Sequence, residues 1–178
     1  MLANVLSAAI VGIDAHLVDV EADISAGGRA LLQSVIALKT SDQTAIGTAY
    51  ADVTGTGLAV AANTTYAFEF SIIADANATT TGIDIACNGP PGATSINYIQ
   101  PLYNVNVSGF VEKYATAYDS DSANATSMGT EKAVMKVKGI LINGATAGTL
   151  IARAKREAIG AGPNVRAGSY GTLTKLSP

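Results

Sequence analysis

The chain has 178 residues, and Ala, Gly and Thr fill 68 of them, so small side chains dominate a length suited to a single domain. Charged residues make up only 14% and the mean hydropathy is +0.29, which excludes a solvated disordered chain, while a formal charge of −3 excludes a nucleic-acid binder driven by basic charge. One cysteine (Cys87) and one histidine (His16) exclude an intrachain disulfide and a Cys/His zinc cluster, and leave little room for a histidine-based triad.

In chain order, residues 1–13 (MLANVLSAAIVGI) resemble the apolar region of a secretory signal, but no Lys or Arg precedes them, and Asp14 and His16 interrupt the run. No stretch reaches the roughly 18 apolar residues of a membrane span, so no membrane partner is expected. Residues 4–10 and 16–24 read as a β-hairpin. Asp19, Glu21 and Asp23 share one polar face of its second strand. Gly55 and Gly57 then punctuate 48–61, and Ala62-Asn63 marks a turn. In residues 66–72 the large side chains Tyr66, Phe68, Phe70 and Ile72 fall on one face, opposite Ala67, Glu69 and Ser71, which predicts a central core strand. Cys87 closes the run from Gly82 as a small core residue, and Asn88-Gly-Pro-Pro-Gly92 breaks it.

Residues 132–141 alternate as well. Ala133, Met135, Val137, Gly139 and Leu141 share one side, and Lys132, Val134, Lys136, Lys138 and Ile140 share the other. Asn143-Gly144 carries the chemistry of a tight hairpin turn and predicts that 132–142 pairs with 149–156. Residues 150–159 (LIARAKREAI) also fit a helix, but the turn signal before them favours a strand. A last strand pair is expected over 164–176, with Gly168 and Gly171 marking a kink or bulge. Eight to ten short strands at this spacing predict an all-β fold: an antiparallel β-sandwich, jelly-roll-like, with an N-terminal β-hairpin arm. Residues 1–28 form the arm and residues 29–178 the sandwich domain.

The constellations that could carry chemistry are sparse. Gly89-Pro-Pro-Gly-Ala-Thr-Ser95 resembles part of a phosphate-binding loop but lacks the Lys before the Ser/Thr, so it reads as a turn between strands. Asp119 and Asp121 sit in a polar loop (119–129) that lacks the pattern of a twelve-residue calcium loop. No catalytic residue, cofactor or metal is assigned. The hairpin predicted at Asn143-Gly144 would place Lys138 opposite Arg153 and Lys136 opposite Lys155, and like charges in those positions need compensation. Glu69, Glu112 or another chain could supply it, which makes Lys136, Lys138, Arg153 and Lys155 candidate contacts for an anionic partner. The alternative is four basic stems covering apolar sheet with their heads in water.

Two resemblances follow from these residues. Ala51-Asp-Val-Thr-Gly55, Thr64-Thr-Tyr-Ala-Phe-Glu-Phe70, Ala78-Thr-Thr-Thr-Gly-Ile83, Asn88-Gly-Pro90, Ala115-Thr-Ala-Tyr118, Gly144-Ala-Thr-Ala-Gly-Thr-Leu150 and Val165-Arg-Ala-Gly-Ser-Tyr-Gly-Thr-Leu173 resemble, in collinear order, a domain of tailed-bacteriophage virion proteins. Residues from about 48 to 178 carry this resemblance. It implies a non-enzymatic structural protein located in the virion, on the capsid surface as decoration or cement, or in the tail or its fibres. Its implied partners are copies of itself, with a trimer as the favoured oligomer, and capsid or tail subunits, but not nucleic acid. A carbohydrate- or receptor-binding module of a tail fibre, with Tyr98, Tyr103 or Tyr114 lining a cleft, is the alternative. Within residues 1–28, Ser7-Ala-Ala-Ile-Val-Gly-Ile-Asp14 and Val18-Asp-Val-Glu-Ala-Asp-Ile-Ser25 resemble the N-terminus of the magnesium-chelatase-like competence ATPase family. That family's ATPase needs a complete phosphate loop, which is absent, so no activity is carried over.

Overall fold

Eleven β-strands and no helix form among the described residues of the computed structural model, which are 34–76, 81–104, 109–121, 130, 132–157 and 162–177. The expected arm, with its acidic face and His16, lies outside them. The strands are β1 (Ser34–Leu38), β2 (Ala51–Asp52), β3 (Leu58–Val60), β4 (Thr65–Asp75), β5 (Ile83–Asn88), β6 (Ser95–Asn104), β7 (Gly109–Ala115), β8 (Ala133–Ile142), β9 (Gly148–Arg156), β10 (Asn164–Val165) and β11 (Tyr170–Ser177). All their pairings are antiparallel. The larger sheet runs β1-β11-β4-β8-β6-β7, with β10 on the end of β4. In the smaller sheet β2, β3 and β5 pair with β9. The chain switches sheets repeatedly, and the result is the expected antiparallel β-sandwich.

Strand registers explain the core. One row crosses the larger sheet through Val35, Leu173, Phe68, Gly139, Tyr98 and Ala115. Its inner members meet Leu58, Ile85, Leu150 and Ala152 of the smaller sheet, all essentially without solvent exposure. The aromatic strand β4 sits mid-sheet with Phe70 and Ile72 fully buried, as its alternation requires. Gly139 leaves a gap between Phe68 and Tyr98, and their rings lean together over it at 6.5 Å between centroids. A Cβ at Gly139 would lie 2.2 Å from the Asn97 carbonyl oxygen and 2.6 Å from the Tyr98 Cβ.

Two expectations are corrected. Strands β8 and β9 do not form a hairpin, because they lie in different sheets. Neither Asn143 nor Gly144 adopts a positive φ. Instead the buried Asn143 amide donates to the carbonyls of Ala61 (2.7 Å) and Thr146 (2.9 Å), pinning the crossing between sheets. Gly144 lies so close to Gly92 that a Cβ would sit 2.0 Å from its carbonyl oxygen. The second correction concerns the C-terminal strands. β10 and β11 pair with β4 rather than with each other, and the chain between them loops out with Gly168 at φ +90°.

That excursion is fastened by charge. Arg166 donates to both carboxylate oxygens of the buried Asp75, at 2.5 and 2.8 Å, and Asn164 donates to it at 2.9 Å. The guanidinium beside Asp75 holds its carboxyl below the usual carboxylate range. A depressed carboxyl contributes stability in full above the unfolded-state pKa, about 3.9, and loses it as pH falls through the folded value. The melting-temperature gap between the native chain and Asp75→Asn is therefore expected to close as pH is lowered below about 4. Thermal melts from pH 7 to pH 2 with a constant gap would contradict this. Gly139→Ala forces a methyl into the aromatic row and is expected to cost about 1–3 kcal/mol in denaturant unfolding.

Candidate interaction surface

The two outward faces of the sandwich differ in chemistry. On the larger sheet a second row crosses all six strands of the main path: Ile36, Thr172, Glu69, Lys138, Ile99 and Tyr114. Eight large apolar side chains are exposed among the described residues, and Ile36, Leu38, Tyr114, Val134, Ile140 and Ile142 all occupy this one face. Ile36 and Tyr114 are 69% and 65% exposed. The Tyr114 hydroxyl and the Asn97 side-chain carbonyl share a 2.5 Å hydrogen bond, which fixes the ring against the sheet. Pairing of β6 with β8 stops at Ile99 and Lys138. Pro101 follows at an outward position and has no N–H to continue the ladder. A groove of about 300 Å³ opens there, lined by Pro101, Glu112, Val134 and Lys136.

Lys136 and Lys138 stand on this face. Lys136 reaches diagonally to Glu69 at 2.8 Å, so Glu69 supplies the compensation expected for it. The carboxylate beside Lys136 raises its pKa. Lys138 lies directly across from Glu69 yet makes no ion pair among the described residues.

Arg153 and Lys155 stand on β9, in the other sheet. The expected facing of Lys138 with Arg153 and Lys136 with Lys155 is therefore corrected, because it depended on the hairpin that does not form. Arg153 instead meets Asp119 at 2.5 Å and Asp52 at 3.1 Å, and donates to the Tyr50 carbonyl. Lys155 meets Asp121 at 2.5 Å and the buried Asp84 at 3.9 Å, and lies 4.9 Å from the centre of the Tyr50 ring. Tyr50 donates its hydroxyl to Asp84 at 2.7 Å, and burial with that neighbouring carboxylate pushes the phenol up. Gln100, fully buried, donates to the carbonyls of Ile85 and Ser120. The Asp119 amide donates to the Cys87 carbonyl. The 118–121 stretch is thus clasped over β5, with its carboxylates spent on Arg153 and Lys155 rather than arranged around a cation.

These side chains offer no reactive pairing. The Cys87 thiol is buried and burial pushes its pKa up, away from the thiolate a nucleophile requires. The Tyr118 phenol is raised to about 12 by burial. Among the described residues, no three His, Cys, Asp or Glu side chains gather as metal ligands. Tyr98, one of three rings expected to line a cleft, is buried and donates its hydroxyl to the Ala117 carbonyl at 3.0 Å. The Tyr103 side chain lies outside the described residues, and Tyr114 is exposed. The sequence reading missed Tyr50, Asp84 and Gln100. Asp84 had a signal in the alternation of Ile83, Ile85 and Cys87, but its partner Lys155 is identifiable only once β5 is known to pair with β9.

No protein-family model matches the chain, and no curated protein matches it. Neither resemblance described above, of residues 48–178 or of residues 1–28, has a family model behind it. Similar solved structures include the Eiger TNF of S. frugiperda, at 10% identity and a TM-score of 0.35 over 81% of this chain and 93% of that one. They also include infectious bursal disease virus VP2 as a subviral particle, at 7% identity and a TM-score of 0.24 over 83% of this chain and 41% of that one. The Gx strain of the same virus gives 8% identity and a TM-score of 0.23 over 91% and 46%. The chain spans less than half the length of those viral chains. Likenesses at these scores assign no function.

Removing Arg153 should loosen the clasp far more than removing the exposed Lys136. Arg153→Met is expected to cost about 1.5–3 kcal/mol, the scale of hydrogen bonds to charged groups. Amide exchange at Asp119 should accelerate with it, whereas Lys136→Met should leave that amide unchanged. Hydrogen-exchange mass spectrometry on peptides spanning 117–121 checks both outcomes.

Proposed function

We propose that the chain is a non-enzymatic structural protein of a bacteriophage virion, whose sandwich is repeated as a surface module on the capsid, as decoration or cement, or on the tail. The observation that carries this reading is the asymmetry of the two faces. One sheet spends its charges within its own chain, and the other gathers six exposed large apolar side chains on a single face. A face of that kind suits burial against another subunit. The resemblance of residues 48–178 to tailed-phage virion domains supplies the setting. Residues 1–28 serve in this reading as an arm reaching a neighbouring subunit, and residues 29–178 as the module itself. No cofactor, nucleic acid or membrane enters it.

The sugar- or receptor-binding alternative needs several exposed rings on which to stack a ligand. Tyr98 is inside the core, so the described residues favour assembly over that alternative.

Mass spectrometry and negative-stain microscopy of virus particles from the organism that carries this gene test the proposal. The expected result is the chain in stoichiometric, regularly arrayed copies. Particles that lack it would overturn the reading.

A further inference from the structure

We infer that the outer face of the larger sheet is covered by a second copy of this chain, with Lys138 of one copy meeting Glu112 of the other. The inference rests on the structural role proposed above and names the partner of that face.

Charge makes self-association feasible. The acids Asp14, Asp19, Glu21 and Asp23 and the single base Arg29 account for the whole net charge of −3, so residues 34–178 balance. Copies of the sandwich therefore approach without long-range repulsion. The size is adequate too. Six strands at about 4.8 Å spacing and about seven residues at 3.3 Å give a face near 550 Å². Two such faces bury about 1,100 Å², just above the minimum of roughly 1,000 Å² for a specific interface.

Two charges on this apolar ground have no partner at home. Lys138 and Glu112 are both exposed, and neither side chain makes a hydrogen bond or ion pair among the described residues. The register places them two strands and two residues apart, since Lys138 faces Ile99, Ile99 faces Tyr114, and Glu112 follows Pro101 on the same side. Their Cα atoms are thus about 12 Å apart, and the two side chains do not meet within one copy. Ile140, Ile142, Val134 and Tyr114 surround them, so a neighbour that buries these apolar groups must also answer one positive and one negative charge. A second copy offers the same face, with Glu112 for Lys138 and Lys138 for Glu112. Because the exchange is reciprocal, the contact closes about a two-fold axis.

Light scattering on the eluting full-length chain, with circular dichroism to verify folding, tests the pairing. The native chain is expected to elute at a small multiple of 18.0 kDa. Lys138→Glu and Glu112→Lys should each weaken association about tenfold or more by setting like charges together, and the double reversal should restore it. Folded single variants that associate as the native chain does would overturn the inference. A double variant as weak as the singles would overturn it also. A monomeric native chain at 100 μM would overturn the interface alone, because regular copies on the particle would leave the structural role standing. Conversely, an oligomer rescued by the double reversal but absent from particles would keep the interface and discard the role.

Discussion

The architecture depends on one missing side chain. Gly139 lets β6 approach β8 so closely that any Cβ would run into the Asn97 carbonyl and the Tyr98 Cα and Cβ, and the Phe68 and Tyr98 rings lean together on either side of it. β8 runs between β4 and β6 with that glycine at the crossing of the row, and its alternation divides surface from core. Met135, Val137 and Leu141 turn inward to meet the smaller sheet, while Val134, Lys136, Lys138, Ile140 and Ile142 turn out. The surface with most functional promise is therefore the reverse side of the packing that holds the sandwich together.

The two sheets treat polarity in opposite ways. The smaller sheet carries Arg153, Lys155 and Asp84 on its outer side, but Tyr50 and the 118–121 stretch close over them and pair with them locally. The cations and Asp84 of this network are mostly covered, while Asp52 and Asp121 reach solvent, so of its close ion pairs that of Arg153 with Asp119 is the least screened and holds the stretch in place. The larger sheet has no such cover among the described residues. Its exposed Lys136–Glu69 pair contributes little to folding by comparison, and its apolar members gain nothing until another surface excludes water from them.

Much of this was legible in the chain, because side-chain alternation is local. The inward set of β4, the two faces of β8 and the turn at Asn88-Gly-Pro-Pro-Gly92 all follow from neighbouring residues. Glu69, the counterion of Lys136, was one of three sources the chain offered, and only the pairing of β4 with β8 singles it out. What failed was pairing across distance. Asn143-Gly144 has the residue types of a tight turn, and nothing within a few residues reveals that Asn143 is held by Ala61 or that Gly144 presses on Gly92. Once β8 and β9 separate, the four cations separate with them. The Tyr50, Asp84 and Gln100 network was hidden for the same reason, since its members come together only through the pairing of β5 with β9 and the return of the 118–121 stretch.

Cys87 gives the clasp a chemical reporter. The thiol is sealed inside the sandwich, on the strand that the 118–121 stretch covers through the Asp119 amide. As the sole sulfhydryl of the chain, it reacts with an alkylating reagent only after the protein opens locally. Its labelling rate is thus a clock for excursions of the smaller sheet, readable in the free chain and in any assembly that the proposed role would give it. A copy locked into a lattice would keep slower time than one in solution, which turns a structurally silent residue into a gauge of how firmly each subunit is held.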